Sequence, residues 1–119
     1  MTAIRFFTEI IPWQRAHQLA LDVYRETERL PKTETFGLTS QMRRCVVSIP
    51  SNLAEGFKRQ GRGDSLRFYN IAEGSLEELK YQLLLSKDLG YIAKERHAEL
   101  KVLADEVGRL INGWKRVQQ

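Results

Sequence analysis

The stretch LTSQMRRCVVSIPSNLAEG, residues Leu38–Gly56, carries Leu38, Met42, Cys45, Ile49 and Leu53 at steps of three or four. That spacing is the period of a helix with one buried face. Pro50 lies inside it. A mid-helix proline removes one backbone hydrogen bond and crowds the preceding turn, a cost of about 3 kcal/mol unless accommodated. Two readings are open, a kinked helix or two shorter helices with Pro50 opening the second. The stripe keeps its phase from Leu38 to Leu53, which favours the kink, with Ser48, Ser51 and Asn52 at hand to satisfy freed backbone groups.

The same period extends outward from this block. Upstream, Pro12 suits a first helical turn, and Trp13, Ala16, Ala20, Val23, Thr27 and Leu30 form a stripe that Pro31 ends. Downstream, Asp64 is a candidate cap for a stripe of Tyr69, Ala72, Leu76, Leu79 and Leu83, and Gly90 fits its C-terminal end. A last block carries Leu100, Leu103, Val107, Leu110, Trp114 and Val117. No segment alternates with the two-residue period of a strand. The expectation is an all-α chain, one domain over residues 1–119, with helices over 13–30, 38–60, 64–89 and 94–117 behind an arm of residues 1–12. Short connections between long helices favour an antiparallel up-down-up-down bundle.

A chain of 119 residues with 42% hydrophobic and 29% charged residues has enough apolar surface for one core and too ordinary a composition for disorder. Its single cysteine excludes an internal disulfide and a cysteine-based zinc site. No apolar run approaches the ~18 residues of a membrane span, and the start, MTAIRFFTEIIPW, is too interrupted for a signal peptide. A cytoplasmic protein is the expectation.

Opposite the core stripes, the helices differ. Behind the third lie Ile71, Gly74, Tyr81, Leu85 and Leu89; behind the second lie the small residues Ser40, Val47, Ser51 and Ala54. The fourth has Lys101, Asp105, Arg109 and Arg116 there, as a solvated helix should. Two apolar faces on one helix point to a subunit interface, built from Val47, Ser51, Ala54, Ile71, Gly74, Tyr81, Leu85 and Leu89 in a homo-oligomer. The alternative cover for one such face is the arm, with Ile4, Phe6, Phe7, Ile10 and Ile11.

No catalytic constellation is present in the sequence. Residues three before His17 and His97 are Gln14 and Lys94, so the Glu-x-x-His pattern of di-metal bundles is missing and both histidines read as half-buried stripe-edge residues. Glu73, Glu77 and Glu78 read as a solvated face, and Cys45 as a small core residue. GRGDS, residues 61–65, lacks the Gly-Lys-Ser/Thr ending of a phosphate loop. Neither cofactor nor metal is expected, and no enzymatic activity.

Charge is more informative. The formal net charge is +4, with a pI near 9.4. Residues 31–63 alone hold Lys32, Arg43, Arg44, Lys58, Arg59 and Arg62 against Glu34 and Glu55. Forked guanidinium groups suit phosphates, so Arg43, Arg44, Lys58, Arg59 and Arg62 are candidate nucleic-acid contacts, in two bands about 22 Å apart along a helix.

GLTSQMRRCVVSIPSNLAEG (Gly37–Gly56), RFYNIAEGSLEELKYQLLLSKDLGYI (Arg67–Ile92) and the opening W-x-x-A-H-x-L-A-x-x-V-Y (Trp13–Tyr24) resemble the four-helix bundle proteins of the 23S rRNA intervening-sequence family. The resemblance runs from Trp13 to the end of the fourth helix. It implies an antiparallel four-helix bundle assembling as a homopentameric barrel, in a family encoded within bacterial 23S rRNA genes or elsewhere in bacterial genomes. Related bundle proteins are accessory factors of diversity-generating retroelements that bind nucleic acid and a reverse transcriptase. No catalytic residue carries over. Arg43, Arg44, Ser48, Pro50, Asn52, Glu55 and Gly56 match the motif and read first as structural or assembly residues. Cys45 stands where alanine is frequent, and Glu73 where relatives are often basic or polar, which weakens a positive band on that helix. The resulting expectation is a non-enzymatic homo-oligomer binding structured RNA or DNA through phosphates. A protein-interaction scaffold is the alternative.

Overall fold

The computed structural model of the chain describes residues 3–118. A single 3-10 turn, Phe7–Glu9, precedes α1 (Ile11–Thr27); another, Lys32–Glu34, leads into α2 (Leu38–Lys58). α3 (Arg62–Asp88) and α4 (Lys94–Gln118) follow. Among the described residues there is no strand. The molecule measures 46 × 25 × 19 Å. α3, at about 1.5 Å per residue, runs nearly its full length.

α1 packs on α2 and α4, and α3 on the same two helices. Cross-helix pairs run in opposite sequence order. Arg15 meets Glu106 and Glu26 meets Arg96, Ser48 meets Ser75 and Met42 meets Ser86, and Glu73 meets Lys115 while Lys80 meets Asp105. The core between them holds Leu19 and Val23, Met42, Val46, Ile49 and Leu53, Leu76, Leu79 and Leu83, and Leu100, Val107 and Ile111, all buried.

Helix ends account for where the observed bounds differ from expectation. α1 stops at Thr27, whose hydroxyl donates to the Val23 carbonyl at 2.8 Å. Leu30 stays buried but is reached through a turn closed by its N–H on the Thr27 carbonyl, because the residue before a proline is pushed out of the helical region. α2 crosses Pro50 without a break. The Asn52 amide turns back to donate to the Ser48 carbonyl at 2.7 Å. At its start, the Glu34 carboxylate accepts from the Leu38 N–H at 3.0 Å, and a Cβ on Gly37 would sit 2.5 Å from that carboxylate.

Asp64 is not the cap of α3. Gly61 precedes the helix and its carbonyl already accepts from the Ser65 N–H, so the helix begins at Arg62 and Asp64 falls in its first turn. There its carboxylate accepts from Arg67 at 3.1 Å and pairs with Arg59 at 3.7 Å. Gly90 does end α3. At φ +83°, its N–H donates to Lys87 and the Tyr91 N–H to Ser86, the paired bonds of a Schellman motif, which glycine enters without strain. In α4 the buried stripe is Leu100, Leu103, Ala104, Val107 and Ile111. Leu110 is half-buried and Val117 is 79% exposed, since a 3.6-residue helix drifts away from a seven-residue repeat.

Candidate nucleic-acid interface

One end of the molecule is formed by the close of α2, the turn at Arg59–Gly61, the first turns of α3 and the last turns of α4. Lys58, Arg59, Arg62, Arg67, Lys115 and Arg116 lie there against Glu55, Asp64 and Glu73, a net +3 of the chain's +4. The opposite end cancels: Arg25, Arg29, Lys32, Arg43, Lys87, Lys94 and Arg96 stand against Asp22, Glu26, Glu28, Glu34, Asp88, Glu95 and Glu99. The positive excess therefore belongs to an end of the bundle rather than to the length of α2.

Within the basic end Arg59 and Arg67 are held by aromatic and acidic neighbours. Arg59 pairs with Glu55 at 3.1 Å, and the guanidinium carbons of Arg59 and Arg67 each lie 4.6 Å from the centre of the Phe68 ring. Lys58 and Arg62 are exposed and form no ion pair among the described residues. A cavity of about 380 Å³ opens beside them, lined by Arg59, Gln60, Arg62, Tyr69, Trp114 and Gln118 among others. Burial raises the pKa of the Tyr69 hydroxyl, and the neighbouring Trp114 N–H opposes that shift. The indole nitrogen is buried beside that hydroxyl.

Of the candidate phosphate contacts, Arg43 is spoken for. Its guanidinium donates to the Thr27 hydroxyl at 2.9 Å and the Tyr24 carbonyl at 3.2 Å, and lies 4.7 Å from the centre of the Tyr24 ring. It fastens α2 to α1. Arg44 is exposed, with one long contact to Ser40, and lies about 21 Å along the helix from Lys58. Lys58, Arg59 and Arg62 are brought together; Arg43 and Arg44 do not join them. Sequence reading missed Arg67, Lys115, Arg116 and the cavity, because their nearness depends on how α4 returns to the α2–α3 turn.

The candidate interface residues also divide. Val47, Ile71, Tyr81 and Leu89 are 42%, 43%, 62% and 52% exposed. Ser51 and Gly74 are exposed, with open space around Gly74. Leu85 instead packs partly against the core. Ala54 is half-buried in a cleft it shares with Phe7, Trp13, His17 and Pro50. The arm thus packs beside Ala54, with the Phe7 and Trp13 rings edge-on at 5.1 Å, and leaves the outer row of α3 uncovered. His17 is more exposed than a stripe-edge residue and stacks on Trp13 at 4.9 Å. His97 is half-buried, and burial with Lys87 nearby lowers its pKa.

The two strings that carry the family resemblance face each other across α2 and α3. The Ser48 and Ser75 hydroxyls are 2.8 Å apart, and Cys45 Sγ donates to the Ser75 carbonyl at 3.0 Å. Burial, reinforced by the Glu78 carboxylate at 3.4 Å, pushes the Cys45 thiol up to about 12. Such a thiol is a packing residue rather than a nucleophile. Gly56 closes the seam: a Cβ there would lie 2.5 Å from the Tyr69 ring.

No helix of the described residues is long and apolar enough to cross a membrane. No curated protein matches the chain. A crystal structure of a protein of unknown function from the S23 ribosomal protein family of Bacteroides thetaiotaomicron is similar in fold, with a TM-score of 0.82 at 22% identity, covering 89% of this chain and 96% of that one. The profile of the family described as 23S rRNA-intervening sequence protein matches residues 8–113. With that match over most of its length, and with the matching motif strings forming the α2–α3 seam, the chain belongs to the 23S rRNA-intervening sequence protein family.

Proposed function

We propose that this chain is a non-enzymatic, up-down-up-down bundle that assembles as a homo-oligomer, a pentamer by family resemblance, and binds structured RNA or DNA through its phosphates at the basic end. The observation that carries the reading is the gathering of net +3 at the α2–α3 turn and the α4 terminus, with Lys58 and Arg62 exposed. Repetition of that end in an oligomer makes a multivalent surface whose weak contacts reinforce one another. The uncovered Ile71, Tyr81 and Leu89 supply apolar area for assembly. The family's name, taken from sequences that interrupt 23S rRNA, is in keeping with a nucleic-acid partner.

The test is binding to rRNA fragments and duplex DNA across a salt series. Phosphate binding makes log affinity fall linearly with log salt, with a slope of about −0.9 per duplex-DNA phosphate neutralised. No binding at low salt refutes it. The uncovered row on α3 specifically favours a second reading, a protein-interaction scaffold whose partner, a reverse transcriptase if the chain serves a retroelement, docks there. Light scattering distinguishes assembly from a 13.8 kDa monomer.

A further inference from the structure

We infer that the cavity at the basic end receives one unpaired nucleotide of the bound strand, with its base inside and its phosphate on Arg62. The inference rests on the phosphate-binding reading above and adds to it a preference for single-stranded loops, bulges and ends. At about 380 Å³ the cavity matches a single nucleotide, whereas a base held in a duplex cannot enter without being extruded.

The lining divides by chemistry. Phe57 and Trp114 supply ring surface, and Gln60 and Gln118 carry amides with both donors and acceptors, the complement that a base edge presents. Arg62 stands at the same cavity as an exposed cation. The Trp114 N–H lies against the Tyr69 hydroxyl within the wall, so the polar contacts left for a base edge are the Gln60 and Gln118 amides. Aromatic surface beside a cationic groove is the usual means of holding single strands, because every base has a face to stack.

The test titrates the full chain with a 5′-phosphorylated single-stranded RNA of about eight nucleotides, its blunt duplex and inorganic phosphate, all at one salt concentration. Anisotropy of a labelled strand reads affinity, and Trp114 emission, taken in a Trp13→Phe background because Trp13 lies in another cleft, reads entry into the cavity. The single strand is expected to bind about tenfold tighter than the duplex and to quench emission. The double variant Gln60→Ala/Gln118→Ala is expected to lose most of that preference while keeping duplex affinity. Equal affinity for strand and duplex, or a preference unchanged in the double variant, overturns the inference and leaves phosphate binding standing. The same quench from inorganic phosphate alone also overturns it, as an anion site without base recognition. Binding of neither nucleic acid overturns the phosphate reading itself, and this one with it.

Discussion

Gly56→Ala and Gly113→Ala make the same chemical change in two helices and should move stability in opposite directions. In a helix interior, alanine is favoured over glycine by about 1 kcal/mol, largely because the unfolded chain has less freedom to lose. At Gly113 no atom outside the local backbone lies within 4 Å of an added Cβ, so that gain stands alone. At Gly56 the Cβ would lie 2.5 Å from Tyr69 Cε1, 2.9 Å from Cδ1 and 3.1 Å from the Ser65 carbonyl. Tyr69 is 2% exposed, so its ring has no room to swing outward and either the ring or α3 must shift. Overpacking of this kind opposes the gain by about 1–3 kcal/mol. The two variants should therefore differ by about 2 kcal/mol, near 8 °C in Tm for a domain of this size. Urea unfolding at one fixed protein concentration measures it, since assembly would otherwise move the midpoint. In a Tyr69→Leu background the two ring contacts are removed and only the Ser65 carbonyl at 3.1 Å remains, so Gly56→Ala should cost clearly less there. A Gly56→Ala variant as stable as Gly113→Ala, with no coupling to Tyr69, refutes the close approach of α2 and α3 at this point.

Arg43→Ala should destabilise the fold by about 1–3 kcal/mol, through loss of two charged hydrogen bonds and the Tyr24 contact, and leave nucleic-acid affinity unchanged. Lys58→Ala and Arg62→Ala should do the reverse, each reducing the salt slope by about 1; urea midpoints and salt titrations tell the two classes apart. Ile71→Asp or Tyr81→Asp should dissociate the proposed oligomer and preserve helicity, and a native-sized particle with either variant removes the α3 outer row from the proposed interface. Leu85→Asp is the poorer probe, because that side chain also supports the core. Cys45 should resist alkylation at pH 8 until the protein is unfolded. Its thiol ionises near 9 unfolded and about 12 folded, so the neutral form is favoured by the fold and that stabilisation, intact below pH 9, drains away as pH rises towards 12. Fast alkylation of the native protein contradicts the buried seam.

The four helices were legible because their stripes are long and regular; the phase from Leu38 to Leu53 favoured one kinked helix over two shorter ones at Pro50, and α2 is continuous there. What escaped were ends and partners. Asp64 has the chemistry of a cap, but whether a helix starts at it or two residues earlier depends on Gly61, which supplies the first carbonyl with no side chain to announce it. Arg43 and Arg44 are indistinguishable in the sequence, yet one turns towards α1, where Thr27 and Tyr24 wait 16 and 19 residues away, and the other faces outward. Leu85 has the angular position of an outer residue, but side chains reach sideways and its neighbours draw it against the core. The basic end was half visible, since Lys58, Arg59 and Arg62 are adjacent in sequence, whereas Lys115 and Arg116 join them only once α4 has folded back.

Glu34 joins the two turns at the neutral end: one carboxylate oxygen holds the first amide of α2, and the other accepts from the Tyr91 hydroxyl at 3.0 Å. The turn before α2 is thereby fastened to the one between α3 and α4, beside the glycine-capped end of α3. At the other end α3 starts with no side-chain cap, and its first turn leans on exposed ion pairs, which contribute little in water. The molecule thus has a side-chain latch at one pole that the first turn of α3 at the other does not share. Amide exchange should spread inward from the basic pole, as it does wherever local opening is least opposed. A ligand seated there would slow that exchange as it bound, so that recognition and rigidity would rise together at the pole that lacks a latch of its own.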